Sequence, residues 1–238
     1  MYWMYGKHAC IAALKNPLRK IKKIHVTSLK LLEDIAKPFH KITSVVDKKV
    51  VDTLVGSDVV HQGIAVQLDP LEPQSSASFF DKPSCTLAML DQVTDPHNIG
   101  AVLRSCAVFG IDGIILQTKH APGETAVLAK TACGALELVP VLHTVNLSQE
   151  LELLKKNGFW VYGFSEKGKS PLNKVKFANK SVLILGAEGE GMRPLVQKGC
   201  DELLYLASSS LFSTLNVSNA AAVAFYEAFC QKNVKQEP

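Results

Sequence analysis

Short apolar runs alternate with amphipathic stretches along almost the whole chain, and Gly, Pro, Ser and Asn mark the breaks between them. Apolar residues at three- and four-residue spacing predict helices, and compact apolar runs bounded by turn residues predict buried strands. Residues 4–15 pattern as a helix, with Cys10, Ile11 and Leu14 in register and Asn16-Pro17 as the stop. A strand at 24–27, a helix at 29–36, a strand at 42–46 and a helix at 47–54 follow, with Asp47 as N-cap. A further strand at 64–68 closes a small α/β unit over residues 1–68. Residues 69–84 hold Pro70, Pro73 and Pro83 among serines and read as a linker, its end pinned by Phe79 and Phe80. The rest, 85–238, repeats strand and helix. Strands are expected at 86–90, 113–117, 139–145, 159–164, 182–185 and 203–206. Helices are expected from Asn98 to about Phe109 and at 124–133, 148–156, 192–198 and 218–231. Such alternation predicts a parallel sheet with helices on both faces.

Composition narrows the class. Hydrophobic residues make up 47% of the 238, enough for a large core. No apolar run approaches the roughly 20 residues of a membrane helix, and the first residues lack a signal-peptide pattern, so a cytoplasmic protein is expected. The six cysteines are widely spaced without C-x-x-C, which suits buried thiols in a reducing compartment. The histidines form no metal-binding spacing, so no metal is expected. Charge is uneven: residues 1–60 hold 11 basic and 5 acidic side chains. The densest group is Lys15, Arg19, Lys20, Lys22 and Lys23, a candidate RNA-binding face.

The chemistry gathers in the second region. The run 182–185 ends in Gly186-Ala187-Glu188-Gly189-Glu190-Gly191. This is G-x-x-G-x-G, neither the dinucleotide fingerprint nor a P-loop. Its carboxylates would repel a phosphate; with bare backbone beside them they suit hydroxyls, amines or a positive centre. Asn98 follows one predicted strand and is a candidate helix cap, and Asn216 follows another in Thr214-Leu215-Asn216-Val217-Ser218. Ligands of such sheets bind beyond the carboxyl ends of strands, so Asn98, Glu188 and Asn216 fit one shared site. Arg104 lies off the apolar face of its helix.

Three ordered segments, 91–110, 183–195 and 206–227, together resemble the SpoU type of the SPOUT class of RNA 2′-O-ribose methyltransferases. Tyr5-Gly6-Lys7-His8-Ala9 and His61-Gln62-Gly63-Ile64 resemble the small RNA-binding domain that precedes some of them. The resemblance implies a ribosomal-protein-like domain before an α/β domain whose C-terminal chain makes a trefoil knot. It further implies S-adenosyl-L-methionine as cofactor, a homodimer with the site at the subunit interface, and RNA as partner. The expected substrate is a guanosine of 23S rRNA. On matching positions, Gly186, Leu206 and Leu215 would offer backbone contacts to the cofactor. Glu188, Asn98, Arg104, Asn216 and Thr214 would line the catalytic side. Two departures bear on this: Thr214 stands where the family usually has Ser, and Leu206-Ala207-Ser208-Ser209-Ser210 replaces an Ile-Pro-Met-x-Gly run. The alternatives are a tRNA 2′-O-methyltransferase and an RNA-binding protein of this fold with impaired catalysis.

Overall fold

The computed structural model describes residues 1–119, 121–209 and 214–234, which fall into two compact units. The first comprises Met1–Glu72 together with Gly123–Leu138, and the second the remainder.

The first unit contains β1 (Tyr2–Tyr5), α1 (Lys7–Lys15), β2 (Ile21–Val26), α2 (Leu29–Glu33), β3 (Thr43–Val45), α3 (Lys48–Val55) and β4 (Ile64–Leu68). Its sheet runs β1-β4-β2-β3, with β4 antiparallel to both neighbours and β2 parallel to β3. The helix expected at 4–15 is therefore a strand followed by a helix. Gly6, at φ 91°, breaks the backbone between them, and β1 is fixed by pairing Tyr2 with Leu68 and Tyr5 with Ala65. That partner is distant in sequence, so local periodicity could not reveal it. Asp47 does occupy the N-cap of α3, but its side chain makes no capping bond.

The second unit contains β5 (Cys85–Asp91), α4 (Pro96–Val108) and β6 (Gly113–Gln117). Helix α5 (Ala126–Ala132) follows in the chain but belongs to the first unit. Then come β7 (Val141–Thr144), α6 (Leu147–Lys156), β8 (Trp160–Phe164), β9 (Ser170–Pro171), β10 (Lys180–Gly186), α7 (Pro194–Gly199), β11 (Glu202–Tyr205) and α8 (Val217–Val234). All seven strands are parallel, in the order β7-β6-β5-β10-β8-β11-β9. Every residue of β5 is buried, as befits a central parallel strand. One face gives Leu87, Met89, Val182, Ile184 and Val161 to a core shared with Leu147, Leu151 and Leu154 of α6 and Val196 of α7. The alternate residues turn to the other face, where α4 and α8 pack together. Phe79 is buried in the first of these cores and Phe80 packs against it, so the aromatic pair does anchor the end of the proline-rich segment.

Gly123–Leu138, placed in the second domain by chain order, makes its contacts within the first unit. Arg19 is one of its ties. Its Nε donates to Glu137 Oε2 at 2.8 Å, its Nη2 pairs with Glu137 Oε1 at 2.7 Å, and its Nη1 pairs with Glu124. The Arg19 side chain is 0% exposed. It was expected on the RNA-binding face, and that assignment is corrected: sequence density of charge does not tell which cation turns inward. Lys15, Lys20, Lys22 and Lys23 are exposed.

Cys10, Cys85 and Cys106 are buried, and burial pushes the Cys85 thiol up to about 12. Cys133 is exposed, against the expectation of buried thiols. No described helix is long and apolar enough to cross a membrane.

Candidate active site

The candidate site lies at the carboxyl end of the parallel sheet, where β5 and β10 run side by side with Gly186 registered opposite Asp91. Beyond Gly186 the chain doubles back: Gly191 N–H donates to Ala187 O at 2.9 Å and Glu190 N–H to Glu188 O at 3.0 Å. The doubling is so tight that a Cβ on Gly186 would run into the backbone of Gly191 and Met192. Gly189 and Gly191 hold φ 79° and 68°, which L side chains avoid. The glycines thus make a loop that exposes main chain and two carboxylates, Glu188 and Glu190.

Asn216, just before α8, is the hub. Its Nδ2 donates to Asn98 Oδ1 at 3.1 Å and also to Glu188 Oε1. Its Oδ1 accepts from Ser218 N–H at 2.9 Å and from Ser218 Oγ at 2.6 Å, which caps the start of α8. Glu188 Oε1 additionally accepts from Val217 N–H at 3.4 Å. Three residues far apart in sequence therefore share one amide. Asn98 is free to join because it is not the helix cap. Asp95 takes that role, its Oδ1 accepting from His97 N–H at 2.9 Å, and this corrects the sequence reading of Asn98.

Arg104 lies on α4 six residues beyond Asn98, about 9 Å along the helix axis. It is exposed and makes no ion pair or hydrogen bond among the described residues. Thr214 and Leu215 are exposed, and Leu206 is half-buried just past the end of β11. Ser210, part of the departing loop, lies outside the described residues. Four residues that the sequence reading did not single out complete the rim. Asp91, fully buried, receives the Arg193 N–H at 2.7 Å and Nε at 2.8 Å, and Arg193 Nη2 reaches Gln117 Oε1 at 2.7 Å. Gln92 Nε2 donates to Glu190 Oε2 at 3.1 Å. These pairs bridge about a hundred residues of sequence, and their one local signal is polar residues directly after a buried strand.

The arrangement suits a small cationic ligand. Main chain crowds the strand end, and the exposed carboxylates favour a positive centre and repel phosphate. Among the described residues no group of His, Cys, Asp and Glu could hold a metal ion.

The fold and site are those of an α/β protein with a ligand site at the carboxyl end of its parallel sheet, and sequence comparison supplies the class. The pattern of the SpoU rRNA Methylase family matches residues 86–226, and that of the RNA 2′-O ribose methyltransferase substrate binding domain matches residues 3–74. The chain belongs to the SpoU rRNA methylase family and is an RNA 2′-O-ribose methyltransferase. It is 36% identical to the uncharacterized tRNA/rRNA methyltransferase slr0955 of Synechocystis, over 96% of this chain but 62% of that protein. It is 31% identical to the 23S rRNA (guanosine-2′-O-)-methyltransferase RlmB of Pseudomonas syringae, over 99% of this chain and 98% of that one. In fold it resembles the SpoU methyltransferase AviRb of Streptomyces viridochromogenes, solved in complex with AdoMet. That match has a TM-score of 0.81 at 17% identity, covering 97% of this chain and 90% of AviRb.

Proposed function

We propose that this chain methylates the 2′-hydroxyl of a guanosine in 23S rRNA, acting in the cytoplasm as a homodimer. The methyl donor is S-adenosyl-L-methionine. The observation that carries the reading is the Asn216 amide shared by Asn98 and Glu188, which joins the three motif segments at one strand-end site. The match to RlmB runs the length of both proteins and so supports a ribosomal rather than a transfer RNA. A separate substrate-binding unit also gives a second grip on a folded RNA.

In this reading the C-terminal chain threads the family's trefoil knot, and backbone at Gly186, Leu206 and Leu215 holds the cofactor. When bound, the sulfonium supplies an electrophilic methyl carbon. Asn98 and Asn216 orient the reacting groups, the Thr214 hydroxyl supplies a further hydrogen bond, and Glu188 takes the proton of the attacking hydroxyl. Arg104, whose guanidinium stays charged, grips the adjacent phosphate and stabilises the developing alkoxide. Lys15, Lys20, Lys22 and Lys23 hold RNA phosphates. The apolar patch around Val108, Val223 and Tyr226, exposed by 68%, 47% and 55%, is the homodimer contact. Arg104 shares α4 with Val108, so the contact carries Arg104 to the partner subunit's site.

Ribose-methylation mapping of RNA from cells with and without the gene tests the substrate. One guanosine of 23S rRNA should lose its methyl group. An unchanged 23S pattern overturns the reading, and loss from tRNA instead reassigns the substrate. In single-turnover assays Arg104→Ala should slow transfer by about 10²-fold with Arg104→Lys between, as for a lost charge-stabilising donor. Equal rates remove Arg104 from the chemistry.

A further inference from the structure

Gln92 is one of three described residues other than glycine with positive φ, at 62°. Such a conformation persists where surrounding contacts impose it. Here the contacts face the glycine-rich loop. The Gln92 amide holds Glu190, and the neighbouring Asp91 holds both the backbone and the guanidinium of Arg193. Two consecutive residues at the end of β5 thus grip the loop on either side of Gly191. That loop needs gripping. Its glycines leave the backbone little intrinsic preference, yet it must present Glu188 to Asn216 and to Val217 N–H. An exposed glutamate on a three-glycine loop would otherwise sample many positions.

We propose that Gln92, working with the Asp91–Arg193 pair, is a positioning clamp that fixes Glu188 for methyl transfer. The left-handed backbone at residue 92 aims its amide across at Glu190, and the buried Asp91 sets the loop's exit. The inference rests on the reaction proposed above, with Gln92 acting through the loop rather than touching substrate.

Gln92→Gly separates positioning from stability, because glycine adopts φ 62° without strain. Its melting temperature should equal or exceed that of the parent, while single-turnover transfer falls about tenfold through lost positioning. Gln92→Glu sets two carboxylates against each other and should fall further. Adding Glu190→Gln restores a donor and an acceptor in swapped places, and the double variant should return to within about threefold of the parent. Hydrogen exchange over residues 186–193 gives a readout independent of catalysis: it should quicken in Gln92→Gly and recover in the swapped pair. Parent-like exchange in Gln92→Gly, or a swapped pair no better than Gln92→Glu alone, overturns the clamp. A parent enzyme that transfers no methyl group to any RNA would instead sink the proposed reaction, and exchange would still decide the clamp.

Discussion

Asn98 shows how a single side chain can be read correctly in place and wrongly in role. Its position after a strand marked it for the site, but cap preference alone could not separate it from Asp95, three residues earlier; the structure gives the cap to Asp95 and leaves the Asn98 oxygen for Asn216. Arg19 shows the opposite failure. Composition grouped it with exposed lysines, whereas two glutamates more than a hundred residues away draw it inside. Removing it would strand two carboxylates in a nearly dry pocket, their side chains 12% and 3% exposed. Arg19→Leu should therefore lower stability by about 3–5 kcal/mol, the usual cost of breaking a buried pair, read by urea unfolding. A loss under about 1 kcal/mol would show that the cluster is not an anchor. His25 makes a second test in the same unit. Burial first, and Lys23 second, lower its pKa from the ordinary 6.5, and its ring packs edge-on against Trp3 at 5.2 Å. The unfolded chain then binds the proton more readily than the folded one, so stability is full above pH 6.5 and drains away as pH falls. His25→Phe should flatten that acid-side loss; parallel pH profiles for both proteins would count against a neutral buried His25.

Elements were legible wherever hydrophobic period and strand or helix length agreed. Strand β6 coincides with its predicted span, and β8, α4, α6 and α8 differ by a residue or a few at their ends. The misses share a cause. β1 is defined by its pairing to β4, and the short β9 by pairing to β11, and neither leaves a local pattern in a single sequence. Helix α8 displays the legible kind of order, with Ala221, Ala224, Phe225 and Ala228 buried at three- and four-residue spacing. Small residues on this stripe let α8 lie close to α4, and Phe225, fully buried, fills the space between the alanines. Phe225→Ala should cost about 3–5 kcal/mol, since a closely packed seam cannot collapse on the void. Because α8 begins at Val217, loosening it should also disturb Asn216. The measurable consequence is a lower melting temperature together with weaker cofactor binding by calorimetry. A lowered melting temperature with unchanged binding would separate the helix from the site.

For the whole molecule, the decisive question raised by the proposed homodimer is which subunit lends each side chain to one active site. Within one chain Asn98, Glu188 and Asn216 are already joined, whereas Arg104 stands exposed without a polar partner among the described residues, on the helix that ends in the apolar patch. The proposed two-fold contact accounts for both facts, because a symmetric dimer joined through this patch gives each site the other subunit's α4. Period and motif describe one chain and not its copies, so the sequence offers this arrangement only through the family resemblance, which implies a site at a subunit interface. Mixed dimers test it directly. Arg104→Ala and Asn216→Ala homodimers should each be nearly inactive. Unfolded together and refolded in equal amounts, they form mixed dimers in which one of the two sites has both side chains intact. Random pairing makes half of the dimers mixed, so activity should return to about a quarter of the parent value. If Arg104 served its own subunit, every site in the mixture would lack one of the two residues and no activity would return. Val223→Asp or Tyr226→Asp in the patch should abolish that recovery by preventing assembly, with chains that remain folded and elute as monomers.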